Sequence, residues 1–153
     1  MVRMQTGHFR GVLYNCLSLL SPGRCREIAH ELHADAVLLT GTRCRTWTPG
    51  RRYHLERLGG GYSAIHFPWQ PGPLTNRSAG CSVILGRRLR LRQVRSIAVA
   101  PAALAGRGGV VRLKSGASDI TLVVGYPPPS EERDTEGSAS AKGKAARQTL
   151  QWI

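Results

Sequence analysis

A chain of 153 residues that is 41% hydrophobic is long and apolar enough to bury the core of one domain, which excludes a wholly disordered protein. No run approaches the roughly 18 apolar residues of a membrane span, and no CxxC pair occurs among the four cysteines, so a helical membrane protein and the common zinc modules are not expected. The formal net charge of +13, carried mostly by arginine, points to an anionic partner and to an intracellular protein, nuclear or cytoplasmic, with no membrane partner.

The first predicted element is a buried strand over residues 12–20, an apolar run with the polar Asn15 set inside it. Ser21 and Pro22 then read as a helix start, because serine caps backbone N–H groups and proline suits the first helical position. Cys25, Ile28, Ala29 and Leu32 follow at spacings of three and four, giving a helix with one apolar face. Asp35 leads into a second strand, Ala36–Thr40, which stops at Gly41.

Residues 44–60 read as a loop with Tyr53 and Leu55 as packing anchors, and Glu56 within it. The three glycines at 59–61 permit a turn, since they lack the lysine-serine ending of a nucleotide-binding loop. Tyr62–Phe67 alternates as a strand, and His66 within it reads as a half-buried structural residue. Cys81–Leu85 is a further strand, with residues 86–88 as a tight turn and 89–99 as a longer strand hairpinned back on it. In that hairpin Arg88, Arg90 and Arg92 alternate with Leu89 and Leu91, which sets a basic stripe over a core. No acidic residue occurs between Glu56 and Asp119, so the stripe is expected to bind the phosphate backbone of DNA or another nucleic acid.

Residues 110–113 and 120–126 form a second predicted hairpin. Pro127, Pro128 and Pro129 end its last strand, because proline cannot donate to a ladder. Residues 1–129 are therefore expected to be one partial domain, 130–144 an exposed or disordered loop, and 145–153 the start of a helix cut short at the C-terminus. The four cysteines read as reduced, packed thiols. A zinc site drawn from Cys25, His30, His33 and Cys44 fits no common spacing, and no metal ligand is assigned.

In order, Asn15 with Ser18 and Leu19, the RSAGCSVIL segment around Gly80, and Tyr126 with Pro128 resemble the N-terminal half of the endonuclease/exonuclease/phosphatase (DNase I-like) superfamily. The apurinic-type endonucleases of retrotransposons look closest. The resemblance implies an α+β fold, part of a four-layered α/β sandwich with two β-sheets and flanking helices, truncated at the C-terminus. It implies magnesium-dependent hydrolysis of DNA phosphodiesters, with Asn15 at the metal and scissile phosphate and Tyr126 lining the phosphate site. The metal-binding glutamate of that family would fall at Gly41, in TGTR, and the later catalytic motifs would lie beyond Ile153. Glycine offers no ligand, so the family's Mg2+ is not expected to be retained. Three readings follow: an inactive endonuclease fragment, a non-catalytic basic nucleic-acid-binding module, or half a sandwich that needs the missing C-terminal half as a partner.

Overall fold

A computed structural model of the chain describes residues 8–44, 50–71, 79–127, 148, 151 and 152. The expected loop at 130–144 lies outside them, as does most of the expected C-terminal helix, of which Gln148, Gln151 and Trp152 are helical. The fold is mixed α+β, with two sheets and one α-helix among the described residues. No described helix is long and apolar enough to cross a membrane.

The first sheet has five strands in the order β1-β2-β5-β4-β3. These are β1 (Gly11–Asn15), β2 (Ala36–Thr40), β3 (His54–Gly59), β4 (Tyr62–Phe67) and β5 (Cys81–Leu85). β1 runs parallel to β2 through α1 (Arg24–Leu32), and the remaining pairs are antiparallel. The second sheet is β6 (Val94–Val99), β7 (Gly108–Ser115) and β8 (Ser118–Gly125), in chain order.

Alternation along the strands sorts the side chains into two cores. Val37, Leu39, Ala64 and Ile84 face α1 and meet Cys25, Ile28 and Ala29. Ala36, Ile65, Phe67, Cys81, Val83 and Leu85 face the second sheet and meet Val111, Leu113, Leu122 and Val124. The described layers are thus helix, sheet, sheet. Gly109 lies where a Cβ would run into the Phe67 ring, so the sheets approach closely there because residue 109 has no side chain.

Four local expectations are corrected. β1 is an edge strand rather than a buried one, and it ends at Asn15, whose Oδ1 accepts the Leu17 N–H at 3.2 Å while Leu17 takes φ 57°. That side-chain bond turns the chain off the sheet. The helix starts at Arg24 after Gly23, not at Pro22, because the Ser21 carbonyl accepts the Arg24 N–H in a turn of its own. Residues 54–59, expected as loop, are the strand β3, hairpinned to β4 across the three glycines, with Gly60 and Gly61 at positive φ.

The fourth correction concerns residues 89–99. β5 is already paired on both edges, with β2 and β4, so it has no edge left for a hairpin partner. The chain instead crosses to the second sheet through a 3-10 turn at Leu91–Gln93 and becomes β6. Leu89 is buried and Arg88, Arg90 and Arg92 are exposed, so the basic-over-apolar segregation holds, but on a turn rather than a strand.

Candidate functional site

The residues singled out in the sequence divide between opposite ends of the first sheet. Pairing places Asn15, Thr40, Cys81 and Phe67 side by side at one end and Gly11, Ala36, Leu85 and Ser63 at the other. Four steps along the strand, about 13 Å, separate the two rows.

Asn15 and Gly41 meet at the first end. A Cβ on Gly41 would lie 2.8 Å from Asn15 Oδ1, and Gly41 has φ +67°. Backbone bonds carry this end across to Tyr126: Thr42 N–H donates to the Gly80 carbonyl, Gly80 N–H to Gly106, and Tyr126 N–H to Arg107 at 2.8 Å. The Arg107 guanidinium lies over the Tyr126 ring, 5.8 Å from its centroid.

A hard divalent cation takes six or more oxygen ligands and is held by carboxylates. Here the single amide oxygen of Asn15 already accepts a backbone N–H, and the described acids are placed elsewhere. Glu27 pairs with Arg24, Glu56 with His66, Asp35 with Arg88 and Asp119 with Arg112, while Glu31 lies exposed on α1. The donor set at Asn15 does not fit magnesium.

The arginines gather at the other end. A cleft of about 550 Å³ is lined by Arg57, Gly59, Gly61, Tyr62, Ser63, Arg90, Leu91 and Arg92. Arg87 lies over the Tyr62 ring, 5.4 Å from its centroid, and keeps a fourth guanidinium at the rim. Arg88 does not line the cleft; its Nη1 is 3.5 Å from Asp35 Oδ1.

The cleft has a neighbour on the same edge. Arg51, Arg52, Tyr53, His54 and Leu55 line a second hollow of about 690 Å³ with Ile97 and Val99 of β6. Leu55 and Arg57 are two apart on β3 and so point to the same side, toward the second sheet. The two hollows therefore follow one another along the outer edge of β3, with Arg90 and Arg92 at one end, Arg51 and Arg52 at the other, and Arg57 between. None of the described residues that line either hollow is acidic.

A third constellation, on the α1 side of the same strands, has no counterpart in the sequence reading. His66 Nε2 is 2.8 Å from Glu56 Oε2, and its Nδ1 is 2.8 Å from Ser82 Oγ. The His54 ring stacks on His66 at 4.5 Å between centroids. Cys25 reaches in from α1, and a thiol, a carboxylate oxygen and an imidazole nitrogen from Cys25, Glu56 and His66 all lie within 4.8 Å of one another. His66 is 2% exposed, so its polar partners are structural necessities and not surface decoration.

Burial opposes charge on His66, but contacts with Cys44 and the Glu56 carboxylate outweigh it and raise its pKa to about 9. Burial, with the neighbouring His66, pushes His54 down to about 4. The hydrogen bond to His66 holds the Glu56 carboxyl below its usual range. Burial pushes the Cys25 thiol up to about 12, which makes it an inert thiol by itself.

His66, expected to be half-buried, is fully buried between Glu56 and Ser82, and Cys25 meets Glu56 and His66 rather than His30 and His33. His30 instead lies against Tyr62, with ring centroids 4.9 Å apart. A usable signal existed in HLERLGGGYSAIH: a glycine turn with alternation on both sides is a hairpin, and pairing His54 with His66 follows from it. No protein-family model matches the chain, and no curated protein matches its sequence.

Proposed function

We propose that the chain is a non-catalytic nucleic-acid-binding module whose groove along β3 takes the phosphate backbone of a single strand. One observation carries this reading: five arginines, at 51, 52, 57, 90 and 92, line two successive hollows on one strand edge that no described carboxylate enters. Guanidinium groups suit phosphate in charge and fork geometry. Tyr53, 40% exposed, supplies a flat surface on which an unstacked base can rest, the usual complement to a basic groove in single-strand binding.

The test is a fluorescence-anisotropy titration of a labelled single-stranded oligonucleotide. Changing Arg57, Arg90 and Arg92 together to glutamine should weaken binding about tenfold or more. Equal affinity in the folded triple variant would remove the groove from the account.

A second reading concerns origin. The meeting of Asn15 with Gly41 at the ends of two parallel strands supports descent from a retrotransposon-type, magnesium-dependent DNA endonuclease whose glutamate has become glycine. In that reading the helix-sheet-sheet arrangement is part of a four-layered, DNase I-like sandwich. The arginine groove runs along β3, the opposite edge strand of the sheet from the β1 that carries Asn15, which favours binding over scission. Supercoiled plasmid incubated with the chain and Mg2+ should remain unnicked; nicking lost in Asn15→Ala would restore the catalytic reading.

A further inference from the structure

We propose that Cys25, Glu56 and His66 form a binding site for one divalent transition-metal ion, with Zn2+ as the fitting kind, beneath α1. This site lies on the face of the first sheet that packs on the helix, and its argument does not use the nucleic-acid groove.

Three elements bring one ligand each: α1 supplies the thiol from above, β3 the carboxylate and β4 the imidazole from the sheet. Their ligand atoms already lie within 4.8 Å of one another. A tetrahedral ion with bonds of about 2.0 to 2.3 Å needs its ligands about 3.3 to 3.8 Å apart, so the Nε2–Oε2 pair, 2.8 Å apart, would open by about 0.5 Å and the thiol would close by up to roughly 1 Å. Sulfur, nitrogen and carboxylate oxygen together suit zinc and its neighbours rather than magnesium or calcium.

The outer partner of the imidazole is also in place. Metal-bound histidines usually give their other ring N–H to an oxygen, which fixes the tautomer and aims the ligand nitrogen. Ser82 Oγ, 2.8 Å from His66 Nδ1, can accept that N–H, and Nε2 then faces Glu56 Oε2 with its lone pair. Nε2 and Oε2 are 2.8 Å apart, so a proton on Nε2 bridges them in the metal-free chain and a bound ion would take its place.

Binding is a proton-for-metal exchange. The ion forms bonds to Cys25 Sγ, His66 Nε2 and Glu56 Oε2, and the thiol proton and the imidazolium Nε2 proton leave to solvent, with no change in oxidation state. Glu56, whose side chain is 51% exposed, gives the ion a way in.

The probe is Co2+, added to the full chain after a chelator has stripped it, with absorption read in the near ultraviolet and the visible. The expected result is one equivalent bound, a thiolate-to-cobalt charge-transfer band, the strong visible bands of a four-coordinate ion, and displacement of all of these by Zn2+. Cys25→Ser should abolish the charge-transfer band or cut it sharply, and Glu56→Gln should weaken binding while the band persists. Because a buried variant can fail to fold, wild-type chain is also melted with and without equimolar Zn2+; a rise in Tm that folded Cys25→Ser lacks supports the site. Absence of a charge-transfer band in the wild-type chain at equimolar Co2+, or an undiminished band in folded Cys25→Ser, overturns the proposal.

Discussion

Gly41 stands so close to Asn15 that a Cβ at position 41 would fall 2.8 Å from Asn15 Oδ1. The backbone there is left-handed, φ +67°, a conformation that glycine adopts freely and side-chain-bearing residues rarely do. Glycine is thus the residue that the geometry of this strand end demands.

An acid placed at position 41 should therefore not create a magnesium site. Gly41→Glu is expected to lose about 1 to 3 kcal/mol of stability from the left-handed backbone alone, with the Asn15 contact adding to it. Urea unfolding reads the loss, and plasmid nicking with Mg2+ should stay at background. A variant as stable as the parent would show that this turn is not constrained as described.

The approach of the two sheets rests on Gly109. Gly109→Ala would drive a methyl group into the Phe67 ring, and overpacking of this kind costs about 1 to 3 kcal/mol. Phe67→Leu in the same chain should recover part of that loss, which a double-mutant cycle measures. Full additivity of the two changes would contradict the contact.

Stacked His54 and His66 should give the metal-free chain a stability maximum near neutrality. His54, lowered to about 4, stays neutral when folded but charges when unfolded, so its contribution is lost as pH falls from about 6.5 toward 4. His66, raised to about 9, contributes fully below about 6.5 and loses that contribution as pH climbs through 9. Thermal melts in chelator across this range should fall off on both sides, and Glu56→Gln should flatten the alkaline side. An alkaline limb unchanged in Glu56→Gln would place the cause elsewhere.

Arg88 separates a groove from a general basic surface. Its guanidinium is held on Asp35 and outside the cleft, so Arg88→Gln should leave oligonucleotide affinity within about twofold, while Arg90→Gln weakens it by about fivefold. Equal losses from the two variants would mean that charge alone, not the groove, governs binding.

Much of the sheet framework was legible in the chain because its signals are local. AVLLT and CSVIL are unbroken apolar runs, YSAIHF alternates, and residues 110–126 contain a hairpin with a glycine turn, so β2, β4, β5, β7 and β8 all follow from pattern. β3 does not: HLERLG buries only Leu58 and carries two charges, as an edge strand does. The mistaken hairpin after Leu85 shows the limit of local reading, since whether β5 has an open edge depends on β2 and β4, which are distant in the chain. The arginines of the groove were half legible. Arg90 and Arg92 stood out by density, but their union with Arg57 needs the β3 strand, and the opposition of this end to Asn15 needs the whole register. The Cys25, Glu56 and His66 cluster was invisible for the same reason, its members being joined only through α1 packing on the β3-β4 hairpin.

The most direct measurement of the central claim is the salt dependence of single-stranded oligonucleotide affinity in the parent chain and in the Arg57, Arg90 and Arg92 triple glutamine variant. Single strands lose about 0.7 in log affinity per log unit of salt for each phosphate neutralised, so five groove arginines predict a parent slope of about −3.5 and a variant slope about 2 units shallower. Two equal slopes, or a parent affinity indifferent to salt, would contradict a phosphate-binding groove along β3.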